Sequence, residues 1–270
     1  GVIGVIFESR PDALVQIACL CLKSGNAIVL KGGREAEHTN KVLAEIIIEA
    51  TSKIEEIPSG WLVLLTERQE VNSLLDEYES IDLIIPRGGN ELVQYIMQNT
   101  HIPVMGHADG ICHVYVDYDA DLEKALRVIV DSKTQYVSVC NAAETLLIHG
   151  DILKIFLPTV VDALEEKNVE LRADERALAL FPDRLVLAND EDWTTEYLDY
   201  VLSIRVVDNP KEAIEHINRY GSHHTDSIVT ENVENAKTFL REVDSATVMH
   251  NVSTRFADGF RYGLGAEVGI

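Results

Sequence analysis

The sequence carries four cysteines, at positions 19, 21, 112 and 140, and Cys140 alone stands among small residues rather than inside an apolar run, in SVCNAAET at 138–145. The apolar triplet Leu146, Leu147 and Ile148 follows at once, so Cys140 marks a loop-to-strand junction that a substrate can reach. Its thiolate could attack an acyl carbon if neighbouring N–H groups or a positive charge stabilise it. The plain alternative is a small side chain filling a gap, which is also how the apolar surroundings explain Cys19, Cys21 and Cys112. Taken alone, the segment leaves both readings open.

Two glycine turns suggest an anion site. LKGGREAEHT at 30–39 is a strand end, then Gly32 and Gly33, then a helix start carrying Arg34 and Glu35. Glycines let backbone approach a phosphate, while Lys31 and a nearby carboxylate can bond ribose hydroxyls. IDLIIPRGGNELV at 81–93 repeats the pattern, with Arg87 beside Gly88 and Gly89 at a helix N-terminus that could hold a pyrophosphate. Neither is G-x-G-x-x-G, and each alone is also compatible with an ordinary tight turn. The polar stretch HNVSTRFADGFRYGLGAEVG at 250–269 offers Asn251, Ser253, Thr254 and Arg255 as donors for a small carboxylate. His107, His223 and His224 sit in two further loops as candidate proton donors or phosphate ligands. No H-e-x-x-H-type spacing occurs, so no metal site is expected.

Positioning these residues requires a scaffold. Short Val/Ile/Leu runs alternate with amphipathic segments, the pattern of parallel strands joined by crossover helices, so the fold class is α/β. Strands are expected at 2–7, 26–31, 61–65, 81–85 and 112–117, with helices at 11–23, 37–51, 69–77 and 90–99. After a long helix at 121–133 a second series follows, with strands near 145–148, 204–207, 225–230 and 245–250 and helices near 151–167, 210–219 and 233–242. Ser24-Gly25-Asn26 stops the first helix, and Pro210 can open another without losing an internal hydrogen bond. A domain boundary is expected near 133, giving domains 1–132 and 133–270. The acidic, weakly periodic stretch 181–200 reads as an excursion from the core.

Composition narrows the function classes. Forty-five acidic against 23 basic side chains give a net charge of −22, which repels a polyanion and argues against nucleic acid. The cysteines lack disulfide or zinc spacing, so a reducing compartment is expected, and no apolar run approaches the ~20 residues that cross a bilayer. A cytoplasmic protein without a membrane partner is the resulting expectation. GVIGVIFESRPD opens inside a strand and LGAEVGI stops abruptly, which suggests a piece of a longer chain.

Together FESRPD, LKGGRE, IPRGG, PVMGHADGICHVYVD, CNAAETLLIH, GSHHTDSIVT and NVSTRFADGFRYGLGAEVG resemble, in order and spacing, the γ-glutamyl phosphate reductase (glutamate-5-semialdehyde dehydrogenase) family of the aldehyde dehydrogenase superfamily. The resemblance implies two doubly wound α/β domains, the first binding NADPH and the second catalytic, truncated at both ends. It implies that Cys140, with Asn141 beside it, attacks glutamyl 5-phosphate and forms a thioester, which NADPH then reduces to glutamate 5-semialdehyde on the way to proline. It further implies a cofactor set of Lys31, Gly32, Gly33, Arg34, Glu35, Arg87, Gly88 and Gly89, with Arg34 near a 2′-phosphate. Asn251, Ser253 and Arg255 would face the glutamyl carboxylate, and Arg10 or His107 the departing phosphate. Ser9 falls where the superfamily has its oxyanion asparagine, which leaves the Cys140 N–H as the assigned donor. PVMGHADG lacks the superfamily's water-activating glutamate, as a reductase that must protect its thioester would. The resemblance also implies a homo-oligomer in the full-length protein and a glutamate 5-kinase partner, the kinase to which this reductase is fused in bifunctional pyrroline-5-carboxylate synthases. Two other classes share parts of the pattern: a cysteine acyltransferase would need no nucleotide, and a non-catalytic scaffold would lack turnover.

Overall fold

A computed structural model describes residues 1–67, 69–106 and 109–265. The chain divides into two compact units, the second beginning at Asp109.

The first unit runs β1 (Val2–Phe7), α1 (Pro11–Lys23), β2 (Ala27–Gly32), α2 (Glu37–Thr51), β3 (Leu62–Leu65), α3 (Glu70–Asp76), β4 (Leu83–Arg87) and α4 (Asn90–Gln98). The strands pair in parallel in the order β3-β2-β1-β4, with Val5 opposite both Leu30 and Ile85. Side chains alternate across β1: Val5 and Phe7 join the core of α1 and α2, whereas Ile6 joins that of α3 and α4. Helices therefore cover both faces, which explains why these strands read as continuous apolar runs. Pro11 opens α1, where its missing N–H costs no bond, and Gly25 at φ 73° ends the turn that follows. The chain steps outward from β1 to β2 and β3, then crosses back so that β4 lies on the other side of β1. Such a reversal leaves a crevice beyond the carboxyl ends of the strands, where Ser9, Gly33 and Gly88 lie.

The second unit runs β5 (Cys112–Val116), α5 (Leu122–Thr134), β6 (Ala143–His149), α6 (Leu153–Glu165), β7 (Glu170–Ala173), α7 (Glu175–Leu178), β8 (Val186–Leu187), β9 (Val201–Val207), α8 (Pro210–Tyr220), β10 (Thr225–Val229), α9 (Val233–Glu242) and β11 (Thr247–His250). These seven strands are parallel, in the order β11-β10-β5-β6-β9-β7-β8. Val114, Leu146, Phe156, Leu157 and Ile204 pack on one face, and Tyr115, Leu147, Ile217, Ile228 and Phe239 on the other. Asp121, Asn209 and Asn232 cap α5, α8 and α9 through side-chain oxygens, each cap contributing about 1 kcal/mol.

The expected elements all appear, with three corrections. The boundary expected near 133 would cut β5 and α5 away from β6 and β10; β5 pairs with both inside the seven-stranded sheet, so the second unit starts at Asp109. The stretch 181–200 is not an excursion. Leu185 and Trp193 are buried, β8 extends the sheet beside β7, and the Asp192 carboxylate accepts from Arg172 and Tyr197. Its acidity hid this, because the buried acid is neutralised by Arg172, 20 residues earlier in the chain. Cys19 is exposed on α1, whereas Cys21 and Cys112 are buried as expected.

Candidate active site

The candidate residues fall into two groups, one in each unit. In the first unit, Lys31 is buried at the end of β2 and donates from Nζ to the Gly32 carbonyl at 2.7 Å. Lys31, Gly32, Gly33 and Arg34 line a small surface cleft together with Glu37, Asn40 and Thr66. Gly32 must be glycine here: a Cβ would run into the Asn40 amide and stand 2.9 Å from Cζ of Phe7. Asn40 is 2% exposed, and its Oδ1 has no partner among the described residues. A buried carbonyl oxygen left open beside a glycine turn suits a ligand that brings its own donor.

Glu35 lies beside the turn that follows β1. Its carboxylate accepts the Ser9 N–H at 2.6 Å, and that bond holds its pKa below the usual carboxylate range. Ser9 has φ 49°, a left-handed conformation that turns its N–H toward the acid. At the second glycine turn the Gly89 N–H donates to Glu8 at 3.2 Å, and a Cβ on Gly88 would meet Glu8 at 2.6 Å. Both carboxylates therefore occupy N–H groups of the kind an anionic ligand would use. Arg10 is exposed ahead of α1 and Arg87 half-buried at the end of β4. His107 lies outside the described residues.

In the second unit, Cys140 is half-buried on the loop between α5 and β6. The buried Cys112 thiol donates to its carbonyl at 3.2 Å. Burial pushes the Cys112 thiol well up, so it stays protonated and keeps that role. Asn141 donates from Nδ2 to the Ala257 carbonyl at 2.9 Å, and its Oδ1 accepts from Arg255. Arg255 also donates from Nε to Gln135 Oε1 at 3.1 Å, so one guanidinium ties two points of the same loop. Ser253 accepts from Ser132 Oγ at 3.0 Å and from the Arg255 N–H. Asn251 bonds the Thr230 backbone in both directions at 3.1 Å.

Gly110 fixes the loop from the other side, since a Cβ there would collide with the Cys140 backbone at Cα, C and O. We predict that Gly110→Ala costs about 1–3 kcal/mol through overpacking and lowers kcat at least about tenfold by displacing Cys140; thermal melts and initial rates check both. An intact rate beside a lowered melting point would mean the loop tolerates the shift.

Sequence reasoning missed three contributors: Asn40, Cys112, and the ion pair of Lys133 and Glu144. Lys133 Nζ lies 2.6 Å from Glu144 Oε2, and both side chains are fully buried. The pair closes the base of the cysteine loop, Lys133 from the last turn of α5 and Glu144 from the second position of β6. Burial lifts the Glu144 pKa to about 7 and lowers that of Lys133. A glutamate inside the otherwise apolar run AETLLI was the available signal, because a charge in a buried strand needs a partner.

The chain is 60% identical over 270 residues to γ-glutamyl phosphate reductase of Acetivibrio thermocellus, covering 100% of this chain and 62% of that protein. It superposes on the crystal structure of γ-glutamyl phosphate reductase from Thermotoga maritima with a TM-score of 0.96 at 46% identity, covering 100% of this chain and 65% of that one. The same fold recurs in glyceraldehyde-3-phosphate dehydrogenase GapN from Methanocaldococcus jannaschii, solved with NADP, at a TM-score of 0.70 and 21% identity over 96% of this chain and 65% of that one. The chain thus spans about three-fifths of the length of the curated relatives it matches. The model of the aldehyde dehydrogenase family matches residues 12–178, more than half of the sequence, and the chain belongs to that family.

Proposed function

We propose that this protein reduces L-glutamyl 5-phosphate to L-glutamate 5-semialdehyde and phosphate, a step toward proline, with Cys140 as nucleophile and NADPH as reductant. The observation that carries the reading is the Cys140 loop: a half-buried thiol whose backbone and neighbours are tied by Cys112, Asn141 and Arg255. Relatives bearing the name γ-glutamyl phosphate reductase support the choice of substrate.

In this mechanism the Cys140 thiolate attacks the acyl carbon. The new C–S bond replaces the C–O bond to phosphate, whose electron pair leaves with the phosphate. NADPH, when bound, supplies hydride to the thioester carbon. The C–S electron pair then returns to sulfur as the aldehyde departs, and Cys140 is regenerated. Lys31, Gly32, Gly33 and Arg34, with the open Asn40 Oδ1, would hold the adenosine half, with the exposed Arg34 beside a 2′-phosphate. Arg87, Gly88 and Gly89 would take the pyrophosphate, and Ser253 and Arg255 would border the glutamyl carboxylate. The protein would act in the cytoplasm.

The reverse reaction tests this. Protein supplied with glutamate 5-semialdehyde and NADP⁺ should form NADPH, read at 340 nm, only when phosphate is present. Equal rates without phosphate would replace the acyl phosphate with hydrolysis of the thioester and overturn the proposal.

A further inference from the structure

We propose that the cleft between β9 and α8 is a second binding site, built for a small oxyanion, either a carboxylate or a phosphate. None of the cysteine-loop residues lines it, and the inference stands whatever reaction Cys140 performs.

The cleft is open to solvent and is lined by Arg205, Glu212, Glu215, His216, Arg219 and Tyr220, together with Val206 and Val207. Arg205 comes from the middle of β9, opposite Leu147 of β6, on a sheet face whose other members are Leu147 and Val207. A guanidinium on such a face demands a reason. Neither Arg205 nor Arg219 forms an ion pair among the described residues, although the chain carries 45 acidic side chains. Each instead lies over an aromatic ring, Arg205 over Trp193 at 5.4 Å and Arg219 over Tyr220 at 5.0 Å. Stacking of that kind holds the planar fork in place while leaving its N–H edges for a ligand.

His216 supplies the independent observation. It is 4% exposed, lines the same cleft, and neither ring nitrogen has a hydrogen-bond partner among the described residues. Packed against His113, Trp193 and Tyr220, the ring cannot turn away to find one. Burial pulls its pKa down to about 2, so it is neutral and offers one N–H donor and one lone pair. Buried polar atoms are nearly always satisfied, and a donor left open beside two unpaired guanidiniums is completed by an anion's oxygen.

The acidic members of the wall set the expected selectivity. Glu212 is engaged, accepting the Asp208 N–H at 2.9 Å and the Asn209 amide at 3.2 Å. Among the described residues Glu215 pairs with Lys211 alone, at 3.6 Å on the exposed face, and its charge opposes an anion in the cleft. Replacing it should strengthen binding, an effect of opposite sign to loss of either arginine.

Calorimetric titrations of the 270-residue chain with inorganic phosphate and, separately, with glutarate test the site and distinguish the two sources of oxyanion. Binding of at least one is expected, weakened about tenfold or more by Arg205→Met and by Arg219→Met and tightened about threefold by Glu215→Gln. Arg219 is exposed on α8, so its variant keeps the test meaningful if loss of the Trp193 stack loosens the Arg205 variant. Absence of binding by both anions, or binding unchanged in the two arginine variants, overturns the proposal.

Discussion

Cys140→Ser should reduce turnover on the order of 10³-fold or more, with the unfolding midpoint almost unmoved. A serine hydroxyl is a far weaker acid than a thiol, which is partly ionised near neutral pH and is intrinsically the better nucleophile. The substitution keeps the side chain's size, so Cys112 still donates to the carbonyl at position 140 and the loop keeps its shape. Initial rates of the phosphate-dependent reverse reaction give the first measure. Trapping the acyl enzyme by mass spectrometry gives the second: a glutamyl adduct on the peptide containing Cys140 in the native protein and none in the variant. Cys19→Ser, on exposed α1, serves as the control that should leave the rate unchanged. Equal turnover by native protein and Cys140→Ser would end the thioester mechanism outright.

The second large effect is expected at Lys133 and Glu144. Lys133→Met or Glu144→Leu alone should lower stability by about 3–5 kcal/mol, because each leaves an uncompensated charge in a fully buried site. The double variant Lys133→Met/Glu144→Leu should recover most of that loss, since a packed apolar pair avoids the desolvation that the ion pair must offset. Denaturant unfolding of the four proteins completes the double-mutant cycle, and additive losses would rule out the coupling. The pair also gives a pH signature. Burial raises the Glu144 pKa from 4.5 to about 7, so the folded chain holds that proton more firmly than the unfolded chain. The stabilisation linked to protonation is complete below about 4.5 and is lost as pH rises through about 7, and Glu144→Gln should remove that slope.

How much of this was legible beforehand depended on the range of the interactions. Strands such as Val2–Phe7 and helices such as Pro11–Lys23 were read at their observed ends, because apolar periodicity, a proline at the helix start and a Gly-containing stop are all local signals. The Gly32 and Gly88 turns were legible for the same reason. Glu35, by contrast, was read from its place in a motif, and it bonds Ser9, which is 26 residues away. Asp192 looked like solvated surface until Arg172 of β7, 20 residues away, met it. Asn40 and Cys112 look like ordinary helix and strand residues, and only the fold places one in the cleft wall and the other beneath Cys140. Cys140 itself was ambiguous from its neighbours alone; the resemblance of seven separate segments carried it.

The order of strands in the second unit has a consequence for how the chain acquires its structure. β5 is flanked by β6, about thirty positions onward, and by β10, more than a hundred onward, with His113 bonded to Asp226 across a separation of 113 residues. Closing so long a loop is entropically slow, and a ribosome finishes β5 well before β10 exists. During that interval one hydrogen-bonding edge of a wholly buried strand waits uncovered, so aggregation during synthesis should be most acute in nascent chains that end between α5 and β10.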